Sequence, residues 1–269
     1  MKQNRIFYAL FIVIALCTAC ADSIKEEPVV GDIPTQGMLV KYSELTAGFD
    51  SDQTRTYVEN GVYLRWHEAD AISAFVGNTG NNKYIFNGAT GDNSGTFSLD
   101  SLTDPQTGEP IDRIYAVYPY SSTNVLSTDG VVTLSYPSSQ TYLENSFGRD
   151  ASVMVAATAS TSDTFLSFKN GCGWLCLKLY NINGANLSSI TLEGNNGEKI
   201  SGEAYISMDE HGEPIVHMGE DAYTTIKLDA NVKLGKTAEE AIAIWIALPP
   251  TTFSNGIKVT AFEIGRAHV

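Results

Sequence analysis

The groups with which this chain could do chemistry are few and scattered. His67, His211, His217 and His268 are its four imidazoles, and none is spaced to pair with a cysteine, a carboxylate or a second histidine as metal ligands. A metal site needs several donors converging on one ion, so no metal is expected, and no cofactor pattern is present. No serine stands in a Gly-x-Ser-x-Gly elbow or beside a histidine, which leaves nucleophilic catalysis without a candidate. Cys172 and Cys176, on a continuous strand, share a face about 13 Å apart at 3.3 Å per residue, and a disulfide needs Cα atoms within about 7 Å. They bond only if Gly171 and Gly173 bend the chain sharply; otherwise they are two small buried apolar side chains. The loop from Gly88 to Gly95 has oxygen donors but not the regular acidic spacing of a calcium loop, and reads as a hairpin connection. Asp209-Glu210 and Glu220-Asp221 lie beside turn residues and read as solvated, whereas glycoside hydrolysis requires two carboxylates facing each other across a cleft. The chain is not expected to be an enzyme.

Cys20 is the exception, because its surroundings specify a reaction. Lys2 and Arg5 precede an apolar run of eleven residues, Ile6 to Leu16. That run is too short to span a bilayer, which takes roughly 20 residues. Thr18 and Ala19 then lead into Cys20, the layout of a secretory signal whose cleavage leaves the cysteine as the new N-terminus. Residues 1–20 resemble a bacterial lipoprotein signal, with Cys20 acylated and Ala21 onward outside the inner membrane. Cys17 stands where such signals usually carry an aliphatic residue. Residues 21–37, acidic and with two prolines, read as a tether between lipid and fold. Acidic residues so close to the cysteine resemble a surface-export signal, and a solvated linker fits them equally well.

Composition agrees with an exported β protein. The net charge is −14, and without Lys2 and Arg5 the mature part carries −16, which repels phosphate backbones and anionic membranes. Nucleic acid is therefore not an expected partner. With Cys17 and Cys20 in the signal, two cysteines remain, so packing rather than disulfides must hold the fold. From Met38 to Thr46, at Tyr63–Trp66, Asp70–Phe75, Lys83–Phe86, Gly95–Leu99, Arg113–Tyr118, Val131–Leu134 and Ser152–Ala156, short apolar segments alternate with Gly, Asn, Asp and Pro. Strands this short at such regular spacing predict an antiparallel sandwich or barrel.

The run Phe165–Tyr180 predicts the first hairpin of a second β domain, with Asn170-Gly171 as its turn. Strands follow at Ser188–Leu192, Lys199–Ile206, Pro214–His217, Tyr223–Leu228, Ala241–Leu248 and Gly256–Phe262. The segment Thr237-Ala-Glu-Glu240 offers a capping box, but Ile242, Ile244, Ile246 and Leu248 alternate at period two, which predicts strand. Residues 263–269 look foreign: Glu-Ile-Gly-Arg-Ala-His-Val can be spelled GAG ATC GGA AGA GCA CAC GTC, the start of a common sequencing adapter. Native sequence is then expected to end near Phe262, and the gene to continue.

Six short words occur in a fixed order: Trp66-x-x-x-Asp70-x-Ile72-x-x-Phe75, Tyr115-Ala-Val-Tyr-Pro-Tyr120, Tyr136-Pro137-x-x-Gln140, Met154-Val-Ala156, Phe168-Lys-Asn170 and Leu248-Pro-Pro250. With Thr54-Arg55-Thr56 and the lipoprotein signal ahead of them, they resemble the fimbrillin family, type V pilus subunits and accessory lipoproteins of anaerobic Gram-negative bacteria. The resemblance runs from about Met38 to Phe262. Ala69 departs from it, since the family often has Gly before the Asp. What the resemblance implies is an all-β chain of two tandem transthyretin-like antiparallel β-sandwiches, 38–162 and 163–262, the second truncated at its C-terminus. It further implies a lipid-anchored, surface-exposed outer-membrane protein, a stalk, anchor or tip subunit of an adhesive pilus. Subunits would join by strand exchange after cleavage at Arg55 releases the segment from Met38 to Thr46 and with it the protein into a pilus. Anchor members keep that segment. Partners are then other pilus subunits, the outer membrane, and glycans or proteins on host or bacterial surfaces. The competing expectation is a monomeric glycan-binding lipoprotein, for which Tyr115, Tyr118 and Tyr120 could offer a stacking surface. Alternation instead puts Tyr115 and Val117 on one strand face and Ala116 and Tyr118 on the other, with Pro119 ending the strand. Trp66, Trp174 and Trp245 read as core.

Overall fold

Apolar residues at every second position mark most of the strands, and the structure turns those positions inward. The computed structural model describes residues 42–49, 64–103 and 110–264, and among them there is no helix. The first strands are β1 (Glu44–Phe49), β2 (Ala71–Phe75), β3 (Asn82–Phe86), β4 (Ser94–Ser101) and β5 (Tyr115–Tyr118). Then come β6 (Val125–Leu126), β7 (Val132–Tyr136), β8 (Ser139–Thr141), β9 (Met154–Ala157) and β10 (Phe165–Asn170). The remainder are β11 (Gly173–Leu179), β12 (Asn186–Gly194), β13 (Gly202–Met208), β14 (Pro214–Met218), β15 (Thr225–Lys233), β16 (Ile242–Leu248) and β17 (Ile257–Glu263).

Seven strands close into a barrel in the order β1, β10, β9, β5, β2, β3, β4, with β4 pairing back to β1. Its interior is filled by alternate residues, Leu45 and Ala47, Ile72 and Ala74, Tyr84 and Phe86, Ala116 and Tyr118, Met154 and Ala156, Leu166 and Phe168. The intervening Phe75, Val117 and Val155 face outward and pack with Val132, Leu134, Ala204 and Ile206 of the sheet β14-β13-β7-β6. β5 is thus buried on both faces, in the split of Tyr115 and Val117 from Ala116 and Tyr118 that its alternation predicts. A third core lies between the sheet β17-β12-β15-β8 and the two-stranded sheet β11-β16. There Ile190, Leu192, Ile226 and Leu228 meet Ile244, Ile246 and Leu248. β16 is strand, as its period-two isoleucines predict, because every second residue enters this core.

Several expectations are corrected. β10 and β11 do not form a hairpin: β10 joins the barrel beside β1 and β9, and β11 pairs with β16. At the junction Gly171 N–H donates to Val153 O and Tyr136 Oη donates to Gly171 O, so the chain is tied to other strands rather than to its own turn. Residues 64–66 are loop, and among the described residues Trp66 exchanges backbone bonds with Gly91 and Asp92. The first described strand begins at Glu44 and runs to Phe49, beyond Thr46. Among the described strands, β1 with β10 and β8 with β15 pair in parallel. Sheet membership crosses residue 162 in both directions, since β7 and β8 pair with β13 and β15 while β10 belongs to the barrel.

Candidate functional site

β1 is the strand that closes the barrel. It pairs antiparallel with β4 and parallel with β10, from Thr46 opposite Phe165 to Phe49 opposite Phe168. Leu45 and Ala47 are fully buried, and the Phe49 ring stacks on Trp66 at 4.6 Å. Just ahead of the strand, Tyr42 is pinned at both ends: its Oη donates to Thr161 O, and its carbonyl accepts from Tyr84 Oη at 2.7 Å. Burial holds the Tyr84 phenol far above its ordinary range, so it acts as a donor at any physiological pH. Trp66 is the centre on which these rings converge. Besides Phe49 it has Phe97 at 5.0 Å, Phe168 at 5.5 Å, Tyr118 at 5.6 Å and Phe86 at 5.9 Å, mostly edge-on or tilted.

Beside Trp66 lies a buried ionic lock. Asp70, 2% exposed, accepts from His67 N through Oδ2 at 2.8 Å and from Arg149 Nη2 through Oδ1 at 3.1 Å. Arg149 Nη2 also donates to Glu68 O, and next to it Asp150 accepts from Tyr118 Oη. Burial raises the Asp70 carboxyl above its ordinary value of 3.8, outweighing the His67 and Arg149 bonds that lower it. A carboxyl with a raised folded pKa binds more protons folded than unfolded, so its share of stability is full below 3.8 and is lost as pH rises through the folded value. Arg149→Met removes one of the two opposing bonds. Because Arg149 is half exposed, a cost of about 1–3 kcal/mol at neutral pH is expected rather than the larger loss of a fully buried pair. That cost shrinks towards pH 3, where Asp70 is protonated. Paired thermal melts of wild type and variant across pH check this; a gap that stays constant contradicts it.

Ala69, before this aspartate, has φ +63°, in the left-handed region that costs an L-residue about 1–2 kcal/mol. The alanine at this turn therefore carries strain. Ala69→Gly should stabilise the chain by roughly 0.5–1 kcal/mol net of the extra freedom of glycine when unfolded, read as a higher Tm.

The third word places Gln140 where no strand reaches. Its side-chain amide donates to Ala247 O at 2.6 Å and accepts from Ala247 N at 3.1 Å, reproducing a ladder pair on the outer edge of β16. Gln140→Ala leaves two buried backbone groups unpaired, at an expected cost of about 2 kcal/mol, measurable by urea unfolding. With β16 tied to β8 in this way, the open edge of the small sheet is that of β11, away from β8. Among the described residues no strand pairs there. In the opposite sheet Val259 and Ala261 stand across from Leu192 and Ile190, on the inward face, yet both are exposed. The small sheet therefore leaves β17 uncovered, and an open edge and a bare apolar strip lie on the same side.

The six words serve as framework, spread over the three cores. Trp66, Tyr118, Met154, Ala156 and Phe168 share the barrel interior, Asp70 is locked to Arg149, and Gln140 clamps β16. Arg149 escaped the sequence reading because its partner is 79 residues away. Trp66 and Trp245 are buried as expected; Trp174 is half-buried, stacked on Phe147 at 5.5 Å. Cys20 and Arg55 lie outside the described residues, Arg55 between Phe49 and Leu64. Cys172 and Cys176 are free thiols; Cys172 Sγ accepts from Val153 N, and burial pushes its thiol up to about 12. The Gly88–Gly95 stretch is the β3–β4 connection, where Asp92 accepts from Ala89 N. Asp209 binds the His211 and Glu213 amides, which lower its pKa, in the exposed β13–β14 turn. No group of three or more His, Cys, Asp or Glu could hold a metal ion among the described residues. Nor is any helix among them long and apolar enough to cross a membrane.

No family model matches the chain, and no curated protein matches it in sequence. Among solved structures it is similar to a "putative cell adhesion protein" from Bacteroides ovatus, with 16% identity, 82% of this chain and 84% of that one covered, and a TM-score of 0.44. A second, with the same description, comes from Bacteroides uniformis at 18% identity, with 81% and 79% covered and a TM-score of 0.41. A "putative adhesin" from Bacteroides ovatus is similar at 6% identity and a TM-score of 0.25, with 87% and 88% covered.

Proposed function

We propose that this chain is a non-enzymatic, surface-exposed lipoprotein of the fimbrillin type, acylated at Cys20 and held in the outer membrane. In this reading it is a structural or accessory subunit of an adhesive pilus, and subunits join by donating a β-strand. The observation that carries the reading is the position of β1. Among the described residues it is the one strand N-terminal to Arg55, and it alone bridges β4 and β10. Cleavage at Arg55 therefore frees a single strand whose departure opens two backbone edges and uncovers the core positions under Leu45, Ala47 and Phe49. A strand from another subunit satisfies both needs, since open edges and apolar pockets at alternate residues are what β-augmentation uses.

Residues 38–162 and 163–262 then represent two transthyretin-like sandwiches that share strands across residue 162. Two measurements on native cells test the reading. Radiolabelled palmitate should enter the wild-type protein and not a Cys20→Ala variant, and N-terminal sequencing of shed surface material should begin at Thr56. Unlabelled protein whose surface form starts at Ala21 would remove both the anchor and the maturation step.

A further inference from the structure

Within the described fold every arginine is followed by a residue that is fixed in place. The arginines of the chain are Arg5, Arg55, Arg65, Arg113, Arg149 and Arg266, and of these Arg65, Arg113 and Arg149 are described. All three stand in loops or turns rather than in strands, where a folded protein is ordinarily nicked.

The bond after each is closed off in a different way. Arg65 precedes Trp66, 1% exposed, whose N–H donates to Asp92 O at 2.8 Å and whose carbonyl accepts from Gly91 N at 2.9 Å. Arg113 precedes the fully buried Ile114, which is bonded to Thr158 in both directions. Ile114 N donates to Thr158 Oγ1, and Thr158 N donates to Ile114 O, each at 2.9 Å. Arg149 precedes Asp150, which has φ +61° in a turn that Ala151 N closes by donating to Gly148 O at 3.2 Å. The Asp150 carboxylate accepts from Tyr118 Oη, and the Arg149 guanidinium is held by Asp70. A protease that takes its substrate as extended chain needs free backbone groups, as any added strand does, and none of these three bonds offers them. Lysine is placed differently: Lys236 is exposed, and so are Thr237, Ala238, Glu239 and Glu240 after it.

We propose that the placement of its arginines makes the folded body resistant to arginine-specific proteolysis, so that such a protease sorts folded from unfolded copies. It leaves a folded body whole and cuts an unfolded chain after Arg65, Arg113 and Arg149. The use of this device rests on the proposed cleavage at Arg55, since the protease that matures a subunit then also removes copies that have not folded. The resistance itself rests on the described arginines alone.

The test is digestion of the full chain with an arginine-specific and, separately, a lysine-specific endoprotease, native and unfolded in urea, with cut positions mapped by mass over time. Native protein should show no cut after Arg65, Arg113 or Arg149, while the lysine-specific enzyme cuts after Lys236. The unfolded chain should be cut at all three arginines, faster by a factor on the order of 10³ or more, because cleavage no longer waits for opening. Lys236→Arg, at an exposed position, should melt within a few degrees of wild type and open one new site in the native body to the arginine-specific enzyme. The proposal is overturned if native wild type is cut after any of the three arginines. It is also overturned if native Lys236→Arg resists as wild type does, because resistance would then belong to the whole surface. An intact body with no cut at Arg55 supports this inference and removes the maturation step, so the two fail separately.

Discussion

Cutting the isolated protein at Arg55 with an arginine-specific protease should give a chain beginning at Thr56 that keeps β1 in place under native conditions and loses it to a competing strand. Retention follows from what holds β1: backbone pairing on both edges, buried Leu45 and Ala47, the Phe49–Trp66 stack and the two Tyr42 bonds. Before the cut, the strand is tethered and any competitor works against a high effective concentration; afterwards its loss is irreversible on dilution. Mild denaturant or an added donor strand should therefore displace the fragment from cut protein and not from uncut. Arg55→Ala should abolish release altogether. Once β1 has gone, Phe97, Leu166 and Phe168 lose a covering element and the edges of β4 and β10 stand open, so multimers form where none formed before. Size-exclusion chromatography with intact mass measurement reads both steps. A fragment that leaves on dilution alone, or a cut chain that stays monomeric after losing it, contradicts this account of β1.

The second large effect belongs to Trp66. Trp66→Ala removes the ring on which Phe49, Phe86, Phe97, Tyr118 and Phe168 converge and leaves a cavity they cannot fill by small shifts. The expected cost is about 3–5 kcal/mol, or roughly 10 °C in Tm for a chain of this size. Because one of the lost contacts is to β1, the variant should also release the strand faster after cleavage at Arg55. Trp174→Ala is the comparison, since Trp174 is half-buried and stacks on Phe147 alone; it should cost about 1–2 kcal/mol. Equal losses at the two positions would remove Trp66 from the centre of the barrel.

Local pattern made much of this fold legible and long-range pairing made the rest illegible. The alternation in Tyr115–Tyr118 and Ile242–Leu248 separates inward from outward residues directly, because side chains on a strand change face at every step. Nothing local reveals that β10 lies parallel to β1, some 120 residues earlier, nor that Gln140 supplies a side chain where a strand is missing. Phe165–Tyr180 reads as a hairpin because Asn-Gly is a strong turn signal, yet the bonds made by Gly171 to Val153 and Tyr136 decide otherwise. Asp70 stands out in the sequence, while Arg149 does not, since a lone arginine after a glycine has many ordinary explanations.

Subunits joined by an exchangeable strand would be seen most directly in surface material from native cells. It should be run on a detergent gel with and without boiling and probed with an antibody to this chain. The account predicts a ladder of regular steps in the unboiled lane that collapses on boiling to one band, shorter than the full chain by the residues up to Arg55. A single band at monomer size in both lanes would contradict strand exchange.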